Sequence, residues 1–352
     1  MSIAEQVRTA RAAAALFALP ERAVVEVRGR DRVRFLQGQL TNDIAGLDPA
    51  QARSGCHSLV LTPQGRIVAD LHVLARPDAF WLDTERAAVP ALIARLEKYV
   101  IADDVQIADR SAEWARFGVE GPRTAELMAA AAGTSVDVEP DACTVVSVAG
   151  VEAVVAAFGW SGETALQLWV PAAAREIVLD VLDAAARRSG AVAAGPEALE
   201  VLRIEAGVPS FGAELGEGTL PAEARLVDCA VSFTKGCYTG QEIVARMQSR
   251  GRVGHLLVGL ACAPGSAPPP LPGTALVRAG ARVGEVTSAA HSPTVGPIAL
   301  AFVRAAHAEL GTCFDLEGGA VATVVALPFV TPAHAPDRAS ESAAAAQRIE
   351  RD

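Results

Sequence analysis

The chain has 352 residues, a formal net charge of −10, 51% apolar residues and only 5% aromatics. That length exceeds one ordinary domain and supplies ample core, so two or three domains are expected. The acidic balance argues against a general nucleic-acid-binding surface, which needs a dense basic footprint, and the longest apolar run near the start, Ala12 to Leu19, is too short to span a bilayer and lacks a small-residue cleavage site.

In chain order, Ala4 to Phe17 reads as a short helix. Val24, Val25 and Val27 form a strand, and Gly29-Arg30-Asp31 then opens a helix that carries Val33, Phe35 and Leu36 and stops at Gly38. Strand patterns follow at Ser58 to Leu61, Ile67 to Leu74 and Ala79 to Asp83, separated by the turn signals Thr62-Pro63-Gln64-Gly65 and Arg76-Pro77-Asp78. Pro90 to Val100 places Leu92, Ile93 and Leu96 on one helical face. Phe117 to Glu120 is a strand that runs into a helix with Pro122 at its first position. Strands at Thr144 to Ala149, Ala153 to Ala157 and Ala165 to Val170 precede a long helix from Ala172 to Ser189. Strands and helices mix without strict βαβ alternation, and no G-x-G-x-x-G or Walker sequence is present. Layered α+β domains are therefore expected rather than a Rossmann fold.

The character changes after Gly251. Six short strand patterns (Val253 to Leu260, Ala275 to Val277, Arg282 to Ser288, Ile298 to Val303, Thr312 to Leu316, Ala320 to Val325) are divided by Gly and Pro, with a proline-rich loop from Pro264 to Gly273. They predict a small β-barrel or sandwich. Residues 331–352 lack a strand pattern and are expected to form a mobile tail.

Lys235-Gly236-Cys237-Tyr238-Thr239-Gly240-Gln241-Glu242 carries the strongest functional signal. Thr239 and Glu242 have the spacing of a capping box, with Ile243, Val244 and Met247 continuing at helical spacing to Gly251. Cys237 then stands just outside a helix N-terminus beside Lys235, a setting that raises thiol reactivity; the competing reading is a buried structural cysteine among turn glycines. The six cysteines (Cys56, Cys143, Cys229, Cys237, Cys262, Cys313) show no C-x-x-C spacing, and the six histidines show no ligand spacing. Neither a disulfide scaffold nor a resident metal or iron–sulfur site is expected, and a reducing cytoplasm is the expected home.

With this octapeptide, the runs Phe35 to Asp43 (F-L-Q-G-Q-L-T-N-D), Leu202 to Pro209 (L-R-I-E-A-G-V-P) and Val286-Thr287-Ser288 through Ser292-Pro293 to Ile298-Ala299-Leu300-Ala301 occur in order. The chain thereby resembles the glycine-cleavage T-protein family, and within it the YgfZ branch, whose signature is K-G-C-[FY]-x-G-Q-E; the resemblance covers roughly residues 1 to 330. It implies a cloverleaf of two interleaved α+β domains (residues 1–250) and a C-terminal small β-barrel (251–330) around a folate-binding opening. It also implies that Glu205 accepts from a pterin ring, a task that suits a bidentate carboxylate, against the alternative of a surface glutamate paired with Arg203. The acidic pair that T-proteins carry after their turn glycines aligns as Ala69-Asp70. One carboxylate is therefore missing and Asp70 remains as a candidate catalytic group.

Around these, Arg203, Tyr238, Gln241 and Glu242 are candidates to line or fix the folate site. Arg246, Arg250 and Arg252 can attract the glutamyl tail of folate or form a solvated face. Trp81, Trp114, Trp160 and Trp169 can stack on a pterin or pack in a core. The function implied is that of a tetrahydrofolate-binding accessory protein that supports assembly or repair of iron–sulfur clusters in client enzymes. Cys237 would be its single reactive thiol, poised by Lys235, because one thiolate cannot hold a cluster alone. The alternative is a folate-dependent aminomethyltransferase or demethylase, against which Ala69 counts. No membrane partner is expected.

Overall fold

The computed structural model describes residues 1–250, 253–262, 268–316 and 320–332. The chain opens with α1 (Ile3–Ala12) and β1 (Ala15–Ala18), then β2 (Arg22–Arg28), α2 (Arg32–Gln37), β3 (Gly55–Leu61), β4 (Ile67–Ala75), β5 (Ala79–Glu85), α3 (Val89–Glu97) and β6 (Gln106–Asp109). It continues through β7 (Trp114–Glu120), α4 (Thr124–Ala132), β8 (Cys143–Val148), β9 (Val151–Ala156), β10 (Ala165–Pro171), α5 (Arg175–Arg188), β11 (Val192–Ala194), α6 (Pro196–Ala206), α7 (Val227–Ala230) and α8 (Gln241–Arg250). The last strands are β12 (His255–Cys262), β13 (Ala275–Arg278), β14 (Ala281–Ser292), β15 (Gly296–Arg304), β16 (Cys313–Asp315) and β17 (Val321–Val325).

These strands build two sheets and a barrel. A six-stranded sheet runs β11-β1-β7-β10-β9-β8, a five-stranded sheet runs β3-β4-β5-β2-β6, and β12-β15-β14-β13-β16-β17 close into a six-stranded barrel. The chain starts in the first sheet, leaves to build the second, and returns. The two α+β domains are thus interleaved, and the expected α+β architecture with a C-terminal barrel is what the fold contains.

Each sheet buries one face beneath its own helices. Val25, Leu71 and Val73 pack with Phe35, Leu92 and Leu96 of α2 and α3, while Phe117, Val155 and Leu168 pack with Leu127 and Leu182 of α4 and α5. The opposite faces meet each other through Leu74, Trp81, Val154 and Trp169. A side chain as large as Trp169, with none of its surface exposed, stabilises that contact by about 2–3 kcal/mol. From Ala69 onward β4 alternates: Ala69, Leu71 and Val73 enter the helix-covered core, and Asp70 and His72 stand on the other face.

The first element departs from expectation. Helix α1, fixed by a reciprocal Ser2–Glu5 capping box, ends at Ala12, and the alanine-rich continuation becomes β1. Leu16 and Phe17 are buried between β7 and β11, and burial on both faces outweighs the helix preference of alanine. The long helix begins at Arg175 rather than Ala172, because residues 172–174 form a 3₁₀ turn. The expected tail falls almost wholly on residues outside the described set, as do Gly251, Arg252 and part of the proline-rich loop. Among the described residues no helix is long and apolar enough to cross a membrane.

Candidate functional site

Between the two sheets lies a cavity of about 480 Å³. Its apolar walls are Phe17 from β1, Trp160 from the loop after β9, Leu199 from α6, and Phe211; its polar groups include Arg22, Asp70, Glu85, Glu200 and Arg203. Aromatic walls with a few convergent charged groups are what a planar, polar-edged heterocycle needs. A second cavity, of about 620 Å³, opens between the barrel and the N-terminal region, and its lining includes the charged residues Arg66, Glu214, Glu223, Arg282 and Arg304.

The floor of the first cavity is charged and firmly held. Arg22 bonds the fully buried Asp83 and, at 2.9 Å, Glu85, and its guanidinium lies 4.9 Å from the centre of the Trp160 ring. Burial opposes the Arg22 charge, but Asp83 and Glu85 more than offset it and raise its pKa. Arg116 takes the other Asp83 oxygen at 3.0 Å and stacks on Trp169; burial brings its pKa down to about 10 despite that carboxylate. Trp160 is therefore fixed from below by a cation that cannot swing away.

Asp70 faces this cavity. Its Oδ1 lies 2.5 Å from Nε2 of His57, because the β3–β4 hairpin sets His57 opposite His72, two residues along the same face. Burial opposes a charge on His57, but Asp70 and then the Cys229 side chain outweigh it and hold His57 protonated well above its ordinary value. The rings of His57, His72 and Phe158 stack in succession, at centroid spacings of 4.8 and 3.6 Å.

The residues singled out from the sequence are distributed differently. Glu205 has no exposed surface: Oε2 accepts from Arg11 at 2.9 and 3.0 Å, and Oε1 accepts from Ser292 at 2.6 Å. With both oxygens engaged, it ties α1 and α6 to the barrel and is not among the residues that line this cavity. Nor does it pair with Arg203. That guanidinium bonds Glu200 three residues earlier and, at 3.0 Å, the buried Glu214, so Arg203 reaches the cavity wall with its donors already committed. The carboxylate of α6 that does face the cavity is Glu200, with half its side chain exposed.

The octapeptide lies elsewhere, and none of its residues lines the cavity. Lys235 does not poise Cys237. Its ammonium donates to the carbonyls of Gln37, Leu40 and Asn42 at 2.7, 2.7 and 3.0 Å, and burial lowers its pKa to about 8. Thr239 N–H donates to Gly38, and Gly240, at φ +87°, lies against Leu61 and Thr62 so closely that a Cβ would come within 2.8 Å of a carbonyl. That left-handed glycine delays the helix to Gln241, so the expected Thr239 cap does not form. Glu242 turns forward to Arg246 at 2.8 Å. Tyr238 is buried among Leu59, Leu61 and Val244 and is unavailable for stacking on a ligand. Gln241 is half-buried in the first turn of α8, while Cys237 is left exposed. Of the basic stripe, Arg246 pairs with Glu242, while the Arg250 side chain and Arg252 lie outside the described residues.

Ala69 also changes meaning. It is fully buried in the helix-covered core, on the face of β4 opposite Asp70, so a carboxylate there would not enter the cavity. Its absence does not count against folate chemistry at Asp70. The residues that sequence reasoning missed are Glu200, Glu85, Arg22 and His57, and Trp160 stood only as one of four tryptophans. The i,i+3 spacing of Glu200 and Arg203 was legible, whereas the pairing of His57 with His72 depends on a register shift in the hairpin between Val60 and Leu61.

Residues 1–235 match the family model described as GCVT N-terminal domain, and residues 256–331 match the glycine cleavage T-protein C-terminal barrel domain. The chain is 32% identical over 336 residues to an aminomethyltransferase of Moorella thermoacetica, covering 93% of this chain and 89% of the relative. It is 30% identical to the aminomethyltransferase of Streptomyces coelicolor, covering 91% and 87%. The crystal structure of glycine cleavage system aminomethyltransferase T from Bartonella henselae superposes with a TM-score of 0.83 at 24% identity, over 95% of this chain and 91% of that one, a likeness of fold. These relatives bear on the transferase reading and not on the cluster-assembly one.

Proposed function

The chain belongs to the glycine-cleavage T-protein family, and from that premise we propose that it binds tetrahydrofolate between its two sheets and transfers a one-carbon unit to it from an aminomethyl donor. The observation that carries this reading is the joint presence on one cavity of an aromatic wall, Trp160 with Phe17, and two carboxylates, Glu200 and Asp70. Trp160, braced by Arg22, would hold the pterin face, and Glu200, half exposed and already accepting from Arg203 on both oxygens, would accept from its N–H edge with its solvent-facing lone pairs. Tetrahydrofolate supplies the nitrogen that receives the carbon. Asp70, held by His57, would accept a proton or stabilise the positive charge that develops as the carbon moves.

Incubation of the purified protein with tetrahydrofolate and an aminomethyl donor should form methylene-tetrahydrofolate. Asp70→Asn should slow turnover about a hundredfold or more without abolishing folate binding. Absence of turnover in the wild-type protein would sink the transferase reading.

One observation favours a second reading, that of a tetrahydrofolate-binding accessory factor for iron–sulfur clusters of the YgfZ branch. Lys235, Thr239 and Gly240 are anchored to α2 and the β3–β4 hairpin, while Cys237 alone among the motif's chemical groups is a solvent-facing thiol on a fixed loop. The expected outcome is that Cys237→Ser keeps folate affinity and loses support of cluster enzymes in cells. Full complementation by that variant would remove the accessory role.

A further inference from the structure

The cavity of about 620 Å³ beside the barrel shares no lining residue with the one assigned to folate. Two of its cations are already committed: Arg66 donates to the Gly218 carbonyl at 2.5 Å, and Arg282 pairs with Glu285. Arg304 is not. Phe302 and Arg304 share one face of β15, and the strand register sets His255 of β12 directly opposite Arg304. All three line the cavity. Among the described residues neither the exposed Arg304 guanidinium nor the exposed His255 ring has a hydrogen bond or ion pair. A carboxylate stands close to them. The Glu223 carbonyl accepts from Leu257 N–H at 2.8 Å, which fastens the residue to β12, and its side chain enters the same cavity although the residue is only 8% exposed. Oε2 accepts from Leu220 N–H at 3.0 Å and, more loosely, from Arg66 at 3.4 Å. Oε1 accepts no hydrogen bond among the described residues. It lies beside Gly254, where a Cβ would stand 3.9 Å away, and the Gly254 carbonyl takes the Ala305 N–H at 3.1 Å. The free carboxylate oxygen is thus next to the strand ends that carry His255 and Arg304. We propose that this cavity binds a free amino acid with an apolar side chain, its ammonium on Glu223 Oε1, its carboxylate on Arg304 and its side chain against Phe302.

The chemical class follows from which charges are left over. A simple anion would satisfy Arg304 and leave the largely desolvated Glu223 oxygen without a donor, and a simple amine would do the reverse. A zwitterion meets both, with a charge-assisted hydrogen bond at each end. Glu214, the other buried carboxylate on this cavity, does not compete for the ammonium, because its oxygens already accept from Arg203, Ser210 N–H and the Ser288 hydroxyl. Phe302 and Val283 supply apolar wall, which favours a hydrocarbon side chain over a polar one. Because the two cavities are separate, the site does not depend on the transferase reading.

The test is calorimetric titration of the full chain with leucine, with isocaproate, which is leucine without its ammonium, and with isoamylamine, which is leucine without its carboxylate. Leucine should saturate the protein at millimolar concentration, and each analogue should bind at least about tenfold more weakly. Arg304→Ala and Glu223→Gln should each weaken leucine binding about tenfold or more. Arg304 is exposed and unpaired, so its removal does not act by loosening the fold, and an unchanged melting temperature checks this. Failure of leucine to saturate the wild-type protein below about 50 mM, isocaproate or isoamylamine binding as tightly as leucine, or leucine affinity in Arg304→Ala within about twofold of wild type would overturn the proposal.

Discussion

Nε2 of His57 and Oδ1 of Asp70 stand 2.5 Å apart across the first hairpin of the five-stranded sheet. Because the folded protein holds His57 protonated well above its unfolded value of about 6.5, the pair stabilises the fold fully below that pH. The contribution is lost as pH rises through the folded value. Thermal melts of wild-type and His57→Gln protein should therefore differ most near pH 5.5 and converge at high pH; a pH-independent difference would mean that charge on His57 is not what the pair contributes.

Glu205 holds α1, α6 and the barrel together through Arg11 and Ser292. Glu205→Ala takes one of two carboxylate partners from the largely buried Arg11, which keeps Glu163, and the acceptor from the Ser292 hydroxyl, and should cost about 1–3 kcal/mol in chemical denaturation. Glu200→Ala, at a half-exposed carboxylate whose partner Arg203 keeps the buried Glu214, should cost less stability than that and weaken folate binding. The opposite pattern would return the pterin contact to Glu205.

Lys235 satisfies three carbonyls at the end of α2 with its three N–H donors. Lys235→Met strips those carbonyls of their donor and should cost about 2–3 kcal/mol. If Lys235 instead acted on Cys237, the variant would keep its stability and change only the alkylation rate of that thiol.

Ala69→Asp, which restores the acidic pair in sequence, should destabilise the fold by at least about 3 kcal/mol, because position 69 faces Leu71 and Val73 in a closed core. Folate affinity should not rise. A stable variant with tighter folate binding would show that the strand presents this position to the cavity.

Much of the scaffold was legible in the sequence because its signals are local. Turn residues at Thr62–Gly65 marked the hairpin, and Gly- and Pro-divided runs marked the six barrel strands. Ala13 to Phe17 was misread because alanine says little about whether one face or two will be buried. The site was less legible, since its chemistry is assembled by long-range register. Glu205 looked available until Arg11, 194 residues away, was found on it, and Lys235 looked like a neighbour of Cys237 until its ammonium was found among carbonyls of residues 37–42.

The most direct measurement is equilibrium binding of tetrahydrofolate to wild-type, Trp160→Ala and Arg304→Ala proteins, which probe the two cavities separately. With the folate site between the sheets, Trp160→Ala should raise Kd about tenfold or more, and Arg304→Ala should leave it within about twofold. Wild-type affinity in Trp160→Ala together with loss of binding in Arg304→Ala would contradict that assignment and move the ligand to the cavity beside the barrel.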